Sequence, residues 1–357
     1  MRVILLFFIA AGLSGCRTAA VSTEESLDNI FTPVFADDEP GGAVLIAKDD
    51  KIIYRKGFGI ADINTKEPIT TKTLFNTGSI SKTFVSYGIL KLAQEGKLSL
   101  DDALYKYFPD FKETGIAKKI KIHHLLTHTS GLPDNRKVDQ DSIFYLSAKD
   151  EENFAPIKLN DSLLFEPGEN YEYSNPAFNG LALIIEKLTG QKWQDYIRHL
   201  IFDPAGMKTS TITDGPYPDK GVSHGYLYDG NRFIEQDYGE EPTFAASGNG
   251  GIWSSVDELW LYEQAIRNNT FLDSGWVKKS RTVFQFPVWK GKEPPFIGLS
   301  WFIFNDSLSF IGHTGSQGGF RGDYVWLPDK KLFYIILCNT PKPLPELRKK
   351  VLEFLKD

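Results

Sequence analysis

Asn76-Thr77-Gly78-Ser79-Ile80-Ser81-Lys82-Thr83-Phe84-Val85-Ser86-Tyr87-Gly88-Ile89-Leu90-Lys91-Leu92-Ala93 decides how this chain is read. Apolar residues recur at Phe84, Val85, Ile89, Leu92 and Ala93, which predicts a helix, and Gly96 stands where a helix stop belongs. The helix is apolar on most faces, so it is expected at the centre of the protein. Ser79 falls at its head and Lys82 one turn further on, and positions three apart share a helix face. A serine hydroxyl is a weak nucleophile that needs a base within hydrogen-bond reach. A lysine serves as that base only when part of it is neutral, and burial on an apolar helix lowers its pKa in the required direction. Free N–H groups and the positive end of the helix dipole at Ser79 suit an oxyanion forming on an attacked carbonyl. Two plainer readings stand beside this one. Roughly one Ser-x-x-Lys match is expected by chance in a chain this rich in both residues, and serine is also a good N-cap.

On the N-terminal side, residues 42–47 and 52–57 form two apolar-rich runs around Lys48-Asp49-Asp50-Lys51, a hairpin pattern. A polar stretch rich in Thr, Ser and Glu leads into a short helix expected near 27–35. Before it, Met1 and Arg2 precede an apolar run over 3–13, too short for a spanning helix and patterned as an export signal. Leu13-Ser14-Gly15-Cys16 resembles a bacterial lipobox, which implies diacylation of Cys16 and a membrane anchor without a protein helix. Arg17, rather than an aspartate, follows the cysteine, which favours the outer membrane facing the periplasm. The expected organisation is a signal peptide over 1–15, a tether over 16–28 and one domain over 29–357. Cys338, the other cysteine, ends an apolar run over 332–337 and reads as a small core residue, so no internal disulfide is expected.

On the C-terminal side the texture from 101 to 245 is helical, with segments at 120–126 and 178–188 broken by turn-rich loops. Strands return at 298–303, 308–313, 319–327 and 331–338, and a helix over 345–355 closes the chain. The expectation is an α+β fold in which 29–100 and 246–357 share one antiparallel sheet flanked by helices, with a mostly helical lobe, 101–245, inserted between them. At 357 residues, 41% hydrophobic, the chain can bury a large core, and its net charge of -6 excludes the basic footprint that nucleic-acid binding requires. Lys118, Lys119 and Lys121 read as a solvated helix edge.

Two more clusters carry chemistry. In Tyr173-Ser174-Asn175, before Pro176, a tyrosine facing Lys82 can pass protons and an Asn amide can hold a carbonyl, although Asn175 before proline is also simply a good helix start. In His313-Thr314-Gly315-Ser316, ending a strand ahead of Gly318-Gly319, small residues let a substrate backbone lie alongside, and Thr314 with His313 can meet a carboxylate. His124 and His128, four apart on an expected helix, suggest zinc, but leucine stands where a metalloprotease needs glutamate, and no metal is expected.

The three clusters, in this order, resemble the serine β-lactamase and penicillin-binding-protein superfamily, in particular its branch of class C β-lactamases, D-alanyl-D-alanine carboxypeptidases and related esterases. Ile122-His123-His124-Leu125-Leu126-Thr127-His128-Thr129-Ser130-Gly131-Leu132, Phe165-Glu166-Pro167-Gly168, Pro204-Ala205-Gly206-Met207 and Gly250-Gly251-Ile252-Trp253-Ser254-Ser255 resemble its framework stretches. The resemblance implies the β-lactamase/transpeptidase-like fold and a cofactor-free acyl-enzyme route. Ser79 would be the nucleophile, Lys82 its base and Tyr173 a proton relay. Asn175 would orient the substrate amide, and the backbone N–H groups of Ser79 and Ser316 would bind the oxyanion. Many class C β-lactamases carry lysine where His313 stands, and a partly charged histidine pulls on a carboxylate less strongly, which argues against an efficient β-lactamase. Glu166 lies in a framework turn and takes no catalytic role. Substrates implied are D-amino-acid peptides, cell-wall fragments, β-lactams or small esters. The alternative is a silent pocket acting as a ligand-binding or sensor module.

Overall fold

The computed structural model describes residues 22–136, 144–214, 217–218, 220–236, 245–305 and 309–356. Cys16, the expected signal peptide and most of the expected tether lie outside them. Among the described residues the principal sheet has six strands: β1 (Gly42–Lys48), β2 (Lys51–Phe58), β3 (Phe302–Asn305), β4 (Ser309–Gln317), β5 (Phe320–Leu327) and β6 (Leu332–Cys338). Their order is β2-β1-β6-β5-β4-β3, antiparallel throughout, so the N- and C-terminal portions do share one sheet. The first hairpin closes through Asp49 and Asp50, both with positive φ (50° and 63°), the backbone that a tight two-residue turn demands and that Asp tolerates.

β1 and β6 are buried along almost their whole length because each separates two apolar layers. Ala43, Leu45 and Ala47 of β1, with Phe333, Ile335 and Leu337 of β6, face the core built around the Ser81–Gln94 helix. Val44 and Ile46, with Tyr334, Ile336 and Cys338, face a second core closed by Leu27 and Phe31 from the first helix and Leu347 and Val351 from the last. The period-two alternation of a strand thus serves both layers at once, which is why these strands read as unbroken apolar runs. Cys338 belongs to the outer layer, remote from the serine, and burial pushes its thiol up to about 12, so it is inert packing.

Some boundaries differ from expectation. The first helix spans Thr23–Phe31, reaching into the expected tether, because the same polar residues that suggested a tether cap and charge its first turn: Ser22 Oγ accepts the Glu25 N–H at 3.1 Å, and Glu24 and Glu25 lie at the positive end of the dipole. Strand geometry begins only at Phe302, since Ser300 has φ 77° and its N–H donates to Leu126 O. Leu299 and Trp301 are buried there without strand alternation. β4 runs on to Gln317, so the His313–Ser316 cluster lies within the strand rather than at its end. The stretch expected as a helical lobe, 101–245, carries helices Asn175–Thr189 and Asp150–Lys158 but also a small hairpin, Tyr226–Tyr228 with Phe233–Glu235.

Candidate active site

The chain enters the site along Phe75–Asn76, which pairs with Ile252–Ser254. Thr77 is then pinned to that strand twice, its N–H and its Oγ1 each 2.9 Å from Ile252 O, while Asn76 Oδ1 accepts the Gly78 N–H at 3.0 Å. Gly78 adopts φ +52°. A single 3₁₀ turn, Gly78–Ile80, leads into the Ser81–Gln94 helix, and neither its cap nor the helix's uses a side-chain hydrogen bond. Ser79 is therefore not spent on capping, and its half-buried hydroxyl stays available.

Lys82 is fully buried. Its Nζ lies 3.0 Å from Ser79 Oγ and 2.6 Å from the Asn249 carbonyl oxygen, and 5.0 Å and 5.8 Å from the ring centres of Tyr173 and Phe178. Burial first, and then the nearby Arg136 guanidinium, hold its pKa well below 10.5. Arg136 is itself fully buried, held by Asp134 and Asn153. Neither the Asn249 carbonyl nor Arg136 was legible in the sequence: one is a backbone atom remote along the chain, the other a charge whose burial no local pattern reveals.

Tyr173 stands over the lysine just before the Asn175–Thr189 helix, which Ser174 caps through the Ala177 N–H at 3.2 Å. Burial pushes the phenol pKa upward, opposed by the adjacent Ser79 hydroxyl, and the phenolic oxygen is buried with no hydrogen-bond partner among the described residues. Tyr173 therefore stays a protonated phenol at ordinary pH. Asn175 opens the helix half-buried.

β4 closes the other side. A Cβ on Gly315 would lie 2.1 Å from Thr77 O, and one on Gly78 would lie 2.6 Å from Ser316 N, so the two backbones meet at a seam that only glycine permits. β3 pairs with β4 from Asn305 opposite Ser309 to Phe302 opposite Gly312. From His313 onward that edge is open among the described residues, the geometry needed for an added substrate strand. Thr314 is exposed while His313 is 2% exposed, because neighbours in a strand face opposite ways.

His313 departs from the expectation of a partly charged anchor. Burial, and then the Lys82 charge, lower its pKa to about 3, so it is neutral across the physiological range. Its Nδ1 lies 2.7 Å from Thr314 O, which assigns the proton there and leaves Nε2 a bare acceptor. It has no charge to offer a carboxylate. The metal reading fails on geometry: the helix ends at Leu126, His128 lies beyond it at φ 56°, and His124 Nδ1 accepts the Lys121 N–H. Among the described residues no three potential ligands group around a common point.

A six-stranded antiparallel sheet with helices on both faces, and a serine heading a buried helix within reach of a buried lysine, defines the β-lactamase/transpeptidase-like class of serine hydrolase folds. Residues 27–353 match the family model described as Beta-lactamase, and the chain belongs to that family. It is similar to penicillin-binding protein 4* of Bacillus subtilis (strain 168), 29% identical over 334 residues covering 88% of this chain and 71% of the relative. It is also similar to protein flp of Staphylococcus aureus (strain COL), 34% identical over 306 residues, 84% of this chain but only 59% of flp. Among solved structures, the octameric penicillin-binding protein homologue from Pyrococcus abyssi superposes with a TM-score of 0.76 at 28% identity, covering 93% of this chain and 76% of that one. D-amino acid amidase from Ochrobactrum anthropi SV3 shares the fold, with a TM-score of 0.73 at 20% identity, covering 93% of this chain and 98% of the amidase. These neighbours are compatible with the class C and carboxypeptidase branch without singling it out.

If Lys82 takes the serine proton, kcat/KM must rise with pH through the lysine's own pKa, since only the neutral amine accepts. That acid limb is expected well below the 10.5 of an ordinary lysine. His313, neutral above about 3, adds nothing between pH 5 and 8. The stability sign agrees: between the folded and unfolded pKa values the unfolded chain binds the extra proton, so the cost of burying Lys82 is full at low pH and fades as pH rises towards 10.5. A pH profile of kcat/KM checks this, and an acid limb at the ordinary lysine value would contradict a buried, neutral Lys82 as the base.

Proposed function

We propose that the protein hydrolyses amide or ester bonds through an acyl-enzyme on Ser79, with D-amino-acid peptides or amides as the favoured substrate class. The carrying observation is the fully buried Lys82 amine 3.0 Å from Ser79 Oγ. In this reading neutral Lys82 takes the hydroxyl proton as Oγ bonds to the carbonyl carbon, and the oxyanion is held by the N–H groups of Ser79 and Ser316. When the C–N or C–O bond breaks, Tyr173 hands its proton to the departing group and is reprotonated from the Lys82 ammonium. Water then attacks the ester by the same relay in reverse. The raised phenol pKa supports Tyr173 as this neutral donor rather than as a phenolate base. Asn175 would orient the substrate amide.

The neutral His313 disfavours substrates that depend on a fixed positive charge at that strand, which sets efficient β-lactam turnover below peptide, amide or ester hydrolysis. The open β4 edge supports an extended, peptide-like substrate, and the likeness to penicillin-binding proteins and to a D-amino acid amidase points the same way. Export and lipid anchoring through Cys16 complete the proposal, placing the site where cell-wall fragments occur. No helix among the described residues is long and apolar enough to cross a membrane.

The test is a turnover panel of nitrocefin, p-nitrophenyl acetate and butyrate, D-alaninamide and a D-Ala-D-Ala tripeptide, with intact-mass analysis after a fluorophosphonate or penicillin probe. A single adduct on Ser79 with preferential turnover of the D-amino-acid substrates is expected. Protein that remains unlabelled and consumes none of the panel would favour the ligand-binding or sensor reading.

A further inference from the structure

Beside Tyr173 lies a fully buried histidine that the reaction scheme does not use. His128 follows the Ile122–Leu126 helix and adopts φ 56°, a left-handed backbone uncommon for a residue with a side chain and sustained only where the surroundings require it. Its carbonyl accepts the Glu172 N–H at 3.0 Å, and its Nδ1 accepts the Ser174 N–H at 3.0 Å. Those two donors flank Tyr173 in the chain. The imidazole also stacks on the Tyr173 ring, with centroids 4.4 Å apart and planes inclined by 25°, and is backed by Phe178 at 5.2 Å. One residue thus grips the tyrosine's backbone on both sides and its ring on one face.

We infer that His128 is a positioning residue for Tyr173, fixing the phenol over Ser79 and Lys82 so that its proton is aimed at the leaving group. The chemistry of the side chain fits the task better than that of its substitutes. Accepting from Ser174 places the ring proton on Nε2 and keeps the imidazole neutral, and burial beside the Lys82 charge keeps it so. An aliphatic residue lacks the acceptor and the flat face. Phenylalanine keeps the face but leaves the Ser174 N–H without a partner. Asparagine tolerates the left-handed backbone and can offer Oδ1 to that N–H, but has no ring. The left-handed backbone brings the carbonyl and the ring of one residue to bear on the same short segment.

This inference rests on the reading of Tyr173 as donor to the leaving group, and the experiment separates the two. The kcat/KM is measured for the p-nitrophenyl ester and for the amide of one acyl group, because p-nitrophenolate departs without a proton and an amine does not. Tyr173→Phe is expected to reduce amide cleavage by on the order of 10²–10³ beyond its effect on the ester. His128→Phe is expected to reproduce that selectivity in part, with an amide-specific loss of roughly 10–100-fold. His128→Asn should lie nearer to wild type, since it restores the Ser174 contact, and thermal melts identify either variant that fails to fold. A selective Tyr173→Phe beside folded His128 variants that slow ester and amide equally, or slow neither, would overturn the positioning role. An unselective Tyr173→Phe would overturn the donor reading and this inference together.

Discussion

Ser79→Ala is expected to abolish covalent labelling and to lower turnover by on the order of 10⁴–10⁶ while the protein stays folded. The substitution removes one half-buried hydroxyl hydrogen-bonded to Lys82, and that amine keeps the Asn249 carbonyl. Alanine suits the helical turn at least as well as serine, so the thermal midpoint should move by only a few degrees. Lys82→Met, close in volume and free of the amine, is expected to cost nearly as much, because a serine without its base is hardly a nucleophile at neutral pH. The double variant should then be little worse than either single one, as for groups that act as a unit. Steady-state turnover together with intact mass after the fluorophosphonate probe decides the matter. A labelled Ser79→Ala protein would place the nucleophile elsewhere and end the proposed mechanism.

The reach of the sequence can be judged from particular residues. Ser79 and Lys82 were legible as a pair because helical spacing is local, and Gly96 as a stop because its φ of 70° is a local requirement. The shared sheet was legible because β1 and β6 are strongly apolar runs. Tyr173 and the His313–Ser316 strand, far along the chain, stood out as clusters able to carry chemistry, but nothing local states that they meet Lys82, and their assembly into one site came from the resemblance to known proteins. The charge of His313 was read wrongly for a related reason. Its neutrality follows from burial against Phe302, 5.0 Å between ring centres, and from the Lys82 amine, which are both tertiary facts. Residues 23–28 were misread as tether because Ser, Thr and Glu serve helix caps and first turns as readily as they serve loops; Leu27 and Phe31, both buried, reveal the amphipathic face only once a second core is there to receive it.

Gly315→Ala is expected to lower kcat/KM by at least about 100-fold with a much smaller effect on stability. The added methyl would lie 2.1 Å from Thr77 O and 3.1 Å from its carbonyl carbon, so the obstacle is backbone and not a side chain that can swing away. Thr77 cannot retreat easily, since its N–H, its Oγ1 and the Ser81 hydroxyl all tie it to Ile252. The β4 strand has to yield instead, and there it is held by β5 alone, since its far edge beyond Gly312 is unpaired among the described residues. Yielding carries the Ser316 N–H away from Ser79, and losing one oxyanion donor alone costs about 10²–10³ in rate. The sheet's two cores lie behind this tip, so the melting temperature should fall far less than the activity does. Gly96→Ala supplies the contrast: nothing lies within 4 Å of its would-be Cβ and it is remote from the serine, yet its φ is positive, so it should cost roughly 1 kcal/mol of stability and leave kcat/KM unchanged. Full activity in Gly315→Ala would mean that the close seam between Thr77 and β4 is packing alone, and that the oxyanion is held by other donors.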